Sequence, residues 1–355
     1  MKKKVAIIGY GGMGSWHVNK MINSDVVDCA GIWDINEKRR EMAREKGLHV
    51  YNSLEDVLRD PSVDIITIAT PNDSHAEISI KAMRAGKNVI SEKPVCMNSS
   101  ELQEIFKVSN ETGMLFTTHQ NRRWDADFLI MKDLYQSGKL GNVFSIESRY
   151  HGSRGIPGDW RSQKKYGGGM MFDWGVHLID QIMCMTEGLK LTKIYCKCDH
   201  ITNNEVDDGF KLDLYFDNGL VAHVEVGTNH FIALPRFYMA GLSGAAKIED
   251  WKSDCQLTIC TQWKEENVTP VVTAAGLTKT MAPRDAKTIE QSIVKKPYSD
   301  VHDFYRNVCA AIDGQETQLV THKQLMRVML IMEAALKSSA LQMPIAFADN
   351  TNSSC

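Results

Sequence analysis

The sequence predicts an α/β amino-terminal half built on a parallel sheet, followed by an α+β half whose strands are mostly antiparallel. Three observations carry this. Up to about residue 122, short apolar runs alternate with amphipathic stretches, the signature of strand–helix–strand repetition. After about Arg123 the apolar residues fall at every second position, with Asn218-Gly219 between two such runs as a hairpin signal. A glycine-rich turn also joins the first apolar run to the first amphipathic one.

The elements follow in order. "KVAIIGY" reads as a buried strand and Met13–Asn23 as a helix; "VDCAGIWD" is a second strand. "NEKRREMAREKG" is a charged helix closed by Gly47, and "SLEDVLRD" a short helix with Ser53 as N-cap. "VDIITIAT" is a β-branched strand, "HAEISIKAMRAG" a helix, "NVISEKP" a strand end, "SSELQEIFKVSNETG" a helix and "LFTTHQN" a strand. Beyond them, Phe144–Arg149 and Lys193–Gly227 alternate as strands, a loop covers 151–170 and a helix roughly 171–185. Helical periodicity returns at Asp300–Asp313 and His322–Leu341, and the tail "NTNSSC" reads as disordered. Domains are expected over 1–122 and 123–355, with the last helices free to pack back on the first.

Bulk composition excludes several functions. The chain is 43% hydrophobic and 24% charged, with a net charge of -3, so a nucleic-acid partner is not expected. No apolar run matches a membrane span, and the start is no secretory signal. Nine scattered cysteines form no disulfide framework, which points to a reduced, cytoplasmic protein. Asn352-Ser353-Ser354 matches a glycosylation sequon without any context for secretion.

Gly9, Gly11, Gly12, Met13 and Gly14 form G-x-G-x-x-G between a strand and a helix, the setting that receives a dinucleotide pyrophosphate at the helix N-terminus. Asp34 ends the second strand 20 residues after Gly14, placed to bond the ribose hydroxyls and repel a 2′-phosphate. NAD is therefore expected over NADP, although Lys38 and Arg39 lie close by in sequence. Thr70, Pro71, Asn72 and His75 follow the third long strand, and Glu92 and Lys93 the next, all at the strand ends that face a ligand crevice. Each of the loop residues either contacts the cofactor or caps a turn.

"FDWGVHLID" sets Asp173, His177 and Asp180 at i, i+4 and i+7, one stripe of a helix. A metal reading of the stripe lacks a third ligand, so no metal is expected. "GYGGMG", "EKP", "NRRW" and "GGGMMFDWGVHLID", with the C-terminal "DFYRNVCAAIDG", resemble the glucose–fructose oxidoreductase / inositol dehydrogenase (Gfo/Idh/MocA) family. The resemblance implies a Rossmann domain and a C-terminal domain whose open, mostly antiparallel sheet often forms an oligomer interface. It implies a homo-oligomer (dimer, tetramer or hexamer) and places the catalytic positions at Lys93, Asp173 and His177.

Oxidising a secondary alcohol needs a hydride acceptor, a proton acceptor and stabilisation of the developing alkoxide. NAD would supply the first, His177 is the expected base and Lys93 the group that polarises the oxygen. Asp173 is expected to hold a neighbouring hydroxyl or to orient the imidazole, and Asp180 to be structural. Residues 151–169 are the expected specificity loop, with Trp160 stacking on a sugar and Arg161 and Tyr166 donating to hydroxyls. Arg123 is expected beside them in the crevice; packing is the competing role for each. The expected activity is oxidation of a sugar, glycoside (C3 included) or cyclitol. The alternatives are an NAD-sensing regulator without turnover and an oxidoreductase that retains its cofactor.

Overall fold

The computed structural model describes residues 1–264 and 268–348. The tail read as disordered and the sequon at Asn352 lie outside the described residues.

The first half builds β1 (Lys3–Ile8), α1 (Gly12–Met21), β2 (Val27–Trp33), α2 (Glu37–Glu45), α3 (Leu54–Arg59), β3 (Ile65–Ile68), α4 (His75–Arg84), β4 (Asn88–Ser91), α5 (Ser99–Thr112) and β5 (Phe116–Thr118). Its five strands are parallel, in the order β2-β1-β3-β4-β5. The reason is visible in burial: Val5, Ala6, Ile7 and Ile8 are fully buried, as only a strand covered on both faces can be. The order reverses between β1 and β3, opening a crevice at their C-terminal ends.

The second half begins with α6 (Ala126–Gln136), β6 (Val143–His151) and α7 (Val176–Met185). It continues with β7 (Leu191–Asp199), β8 (Gly209–Phe216), β9 (Val221–Gly227), β10 (Phe237–Gly241), β11 (Gly244–Ile248) and β12 (Cys255–Cys260). The ribbon β13 (Val271–Thr273) and β14 (Gly276–Thr278), β15 (Ile289–Val294), α8 (Asp303–Ile312), α9 (His322–Leu341) and β16 (Ile345–Ala346) complete it. Nine strands form one sheet, β15-β12-β11-β10-β6-β9-β8-β7-β16, antiparallel except where β6 runs parallel to β9. Asn218-Gly219 makes the β8–β9 turn, with Gly219 at φ +87°.

Two expectations change. The helix read over 171–185 opens with a π-helical turn, Met171–Gly175, before α7. The loop 151–169 carries two short 3-10 turns, Trp160–Ser162 and Lys164–Tyr166. The C-terminal helices return to the first sheet: Tyr305 of α8 bonds His17 of α1, and Glu333 of α9 accepts from Ser99 at the start of α5.

Candidate active site

The site forms where the ends of β4 and β5 meet the start of α7. Lys93 follows β4, on the N-terminal side of a cis peptide bond to Pro94. Its ammonium donates to the Asp173 main-chain oxygen at 2.8 Å and to Asp173 Oδ1 at 3.0 Å. Arg161 Nε donates to the other oxygen, Oδ2, at 2.9 Å. Asp173 is therefore shared between two cations. Burial alone would raise its pKa, but the charges and hydrogen bonds of Lys93 and Arg161 hold it below the ordinary value. Asp173 was expected to hold a hydroxyl or orient the imidazole; its carboxylate bonds Lys93 and Arg161, and no hydrogen bond joins it to His177 Nδ1.

His177 lies one turn further on, 5% exposed, with Nδ1 buried and without a hydrogen-bond partner. Burial drives its pKa well below 6.5, and the positive charges of Lys93 and Arg122 add to the effect. The π-helical turn carries Asp173, and such turns recur at functional sites. Asp207 starts it, accepting from Met170 N through its main-chain oxygen and from Met171 N through its carboxylate. The glycine run upstream is a steric necessity: a Cβ on Gly168 would stand 2.3 Å from the Arg161 carbonyl oxygen.

Beside Asp173 opens a cavity of about 210 Å³, lined by Tyr150, Arg154, Met170, Trp174 and Thr228 among others. Trp160 and Tyr166 are half-buried; Arg161 lies over the Trp160 ring and Lys165 over that of Tyr166. Arg122 was not singled out in the sequence. Its guanidinium stacks on Trp174 at 4.5 Å and Trp251 at 4.2 Å, bringing a second positive charge toward His177. "NRRW" held the signal, but its 3-10 turn gives no periodicity to say which arginine faces inward.

Several expected contact residues are engaged elsewhere. Arg123 makes a bidentate buried pair with Asp180, at 2.7 and 2.6 Å, and its remaining nitrogen donates to Leu319 O and Gln324, so it does not face a substrate. Both ring nitrogens of His75 sit 2.9 Å from main-chain carbonyls, of Pro94 and Thr70, which makes it a tie between loops rather than a cofactor contact. Asn72 is buried and donates to Gly167 O. Glu92 turns inward: His17 Nε2 and His119 Nδ1 each lie 2.8 Å from Oε1. Burial opposes its charge, yet the two imidazoles hold its pKa well below the usual range. Thr70 bonds Ser74, and Pro71 is exposed at the crevice edge.

The glycine turn fits a dinucleotide. Gly9 has φ +92°, and a Cβ on Gly14 would stand 1.9 Å from Gly9 O, while nothing lies within 4 Å of one on Gly12. Gly11 is the N-cap of α1 and brings no side chain to its first-turn N–H groups, and Met13 is half-buried in that turn. Asp34 is 4% exposed; its oxygens accept from Tyr10 N at 2.7 Å and Asn36 N at 2.8 Å, with Arg39 3.5 Å away. This carboxylate organises the turn.

A glycine turn at a topological switch point, with a half-buried lysine and a buried carboxylate and imidazole above it, defines a nucleotide-linked oxidoreductase class. Residues 3–120 match the oxidoreductase family, NAD-binding Rossmann fold model, and residues 128–247 match the GFO/IDH/MocA C-terminal domain. The chain belongs to the Gfo/Idh/MocA oxidoreductase family.

Among its relatives is the uncharacterized oxidoreductase YhhX of Escherichia coli, 30% identical over 68% of this chain and 69% of the relative. Another is scyllo-inositol 2-dehydrogenase (NADP(+)) of Bacillus subtilis, 32% identical over 51% of each. With this and other curated relatives the match spans only about half of their length, 46% in one from Schizosaccharomyces pombe. The crystal structure of an NAD-binding protein from Listeria innocua is 39% identical, with a TM-score of 0.94 over 98% of this chain and 99% of that one.

Proposed function

We propose that the protein is an NAD(H)-dependent oxidoreductase acting on a secondary hydroxyl of a sugar, a glycoside (its C3 hydroxyl included) or a cyclitol. The observation that carries this reading is the Lys93–Asp173 pair, 3.0 Å apart, with His177 one helical turn away. Lys93 has three N–H donors, and two are bonded to Asp173, leaving one for a substrate oxygen among the described residues. There it stabilises developing negative charge on that oxygen. His177, kept neutral, takes the hydroxyl proton. Asp173 aims Lys93 and, with Arg161, fixes the loop over the site.

The Gly9–Gly14 turn and Asp34 would hold NAD, which when bound supplies the hydride acceptor. Exposed Phe144 and Tyr195 on the open sheet support homo-oligomer assembly. Among the described residues no helix is long and apolar enough to cross a membrane.

The test is a screen of inositols, hexoses and aryl glycosides with NAD and, separately, NADP. Reduced-nicotinamide absorbance and product mass are both followed, because mass detects turnover with retained cofactor. Oxidation of one of these classes, lost in Lys93→Met, supports the reading. Cofactor binding without turnover of any of them overturns it.

A further inference from the structure

A second group of imidazoles and a carboxylate converges at the ends of β6 and β9, where His151 also lines the cavity beside Asp173. One ring nitrogen of His151, one of His230 and one oxygen of Glu225 all lie within 4.8 Å of one another. His151 Nε2 stands 3.6 Å from Glu225 Oε2, and His230 Nε2 3.7 Å from Oε1, beyond hydrogen-bond range. The two rings stack in parallel, centroids 4.1 Å apart and planes 5° apart, so their in-plane lone pairs run side by side along the carboxylate. The His151 side chain is 1% exposed, yet its Nε2 has no hydrogen-bond partner. A buried polar atom left in that state is destabilising unless a ligand satisfies it.

The backbone is shaped around the cluster. A Cβ on Gly227 would meet His230 Cε1 at 2.1 Å, so only glycine there admits the imidazole. Three cationic groups also face Glu225: Arg149 at 3.2 Å, Lys211 at 3.8 Å and His223 at 3.7 Å. Each keeps another acidic partner, in Glu147, Asp199 and Asp213 respectively. Glu225 can therefore turn to an ion without stranding any of them. The His151 Nδ1 accepts from Leu234 N at 3.2 Å, and Leu234 is half exposed, so that N–H can pass to water when Nδ1 takes the proton. By contrast, His17, Glu92 and His119 already satisfy one another through hydrogen bonds of 2.8 Å, with Tyr305 completing the chain.

We propose that His151, His230 and Glu225 bind a first-row divalent cation of the zinc class. Two nitrogens and an oxygen suit such an ion, and ion–donor distances near 2.0–2.2 Å require donors roughly 3.3 Å apart. Binding takes a contraction of a few tenths of an ångström in the His–Glu pairs and a turn of the His230 ring, 28% exposed, out of the stack, so that both nitrogens point at the ion. The ion pins the loop between β9 and β10 to the end of β6. Gly152 and Thr228, on these two segments, line the cavity beside Asp173, so the ion stiffens one wall of it.

The test uses untagged, chelator-stripped protein titrated with Co²⁺, followed by calorimetry and by visible d–d absorption. Expected are one equivalent bound at micromolar Co²⁺, a raised Tm, and affinity about tenfold or more weaker in both His230→Gln and Glu225→Gln, NAD affinity being unchanged. No saturable uptake by the unmutated protein overturns the proposal, whatever the variants do. So does uptake that both folded variants retain in full, which places the ion elsewhere. Neither readout depends on hydride transfer, so the site stands or falls separately from the proposed activity.

Discussion

His177 is a base made by its surroundings. Burial and the charges of Lys93 and Arg122 put its pKa well below 6.5. The acid limb of log(kcat/KM) against pH for alcohol oxidation is therefore expected below pH 6.5; a limb above that value would contradict the assignment. The linkage to stability has the same origin. The unfolded imidazole takes up a proton near pH 6.5 and the folded one does not, so stability falls as pH drops through 6.5 toward the folded pKa. Lys93→Met is expected to slow hydride transfer by about 10²–10³, the scale for losing one preorganised donor, with NAD affinity nearly intact by fluorescence titration. Equal loss of both would move Lys93 to cofactor binding. Asp34→Ala is expected to weaken NAD by loosening the turn as well as removing a ribose acceptor, because Asp34 also holds Tyr10 N and Asn36 N; unchanged affinity would remove it from the site.

At the scale of elements, "NRRW" shows two adjacent arginines with different work. Arg123 points into the protein and pairs with Asp180, both under 10% exposed, while Arg122 lies over two indoles beside His177. Breaking a buried pair from one side leaves a charge stranded, at about 3–5 kcal/mol. Arg123→Ala is expected to lower stability by that much in urea unfolding. Arg122→Ala is expected to raise the pKa of His177, read from its imidazole resonances by NMR. The stripe of Asp173, His177 and Asp180 was legible from spacing, as was the lysine at a strand end. That Asp180 belongs to an arginine 57 residues earlier was not, because helical periodicity names a face and never its partner. The π-helical turn was equally invisible, since the apolar pattern of residues 171–185 is the same for either helix.

Across the whole molecule, α8 returns to the first sheet and completes a buried chain from Tyr305 through His17 and Glu92 to His119. Glu92 accepts, so His17 Nε2 carries the proton and Nδ1 takes the tyrosine O–H. Tyr305→Phe leaves that nitrogen buried and unpaired, and is expected to cost about 1–3 kcal/mol in urea unfolding; no change would show that the chain does not tie the two halves together. The sequence by itself determined the parallel sheet, its glycine turn, the β8–β9 hairpin and the helices, because each rests on periodicity or backbone freedom within a few residues. Tertiary structure alone decided the partners: Asp173 goes to Lys93 and Arg161, His75 to two carbonyls, Glu92 to two imidazoles, and Glu225 to Arg149. A buried polar group must be satisfied by whatever the fold brings within about 3 Å, and that neighbour has no fixed distance along the chain.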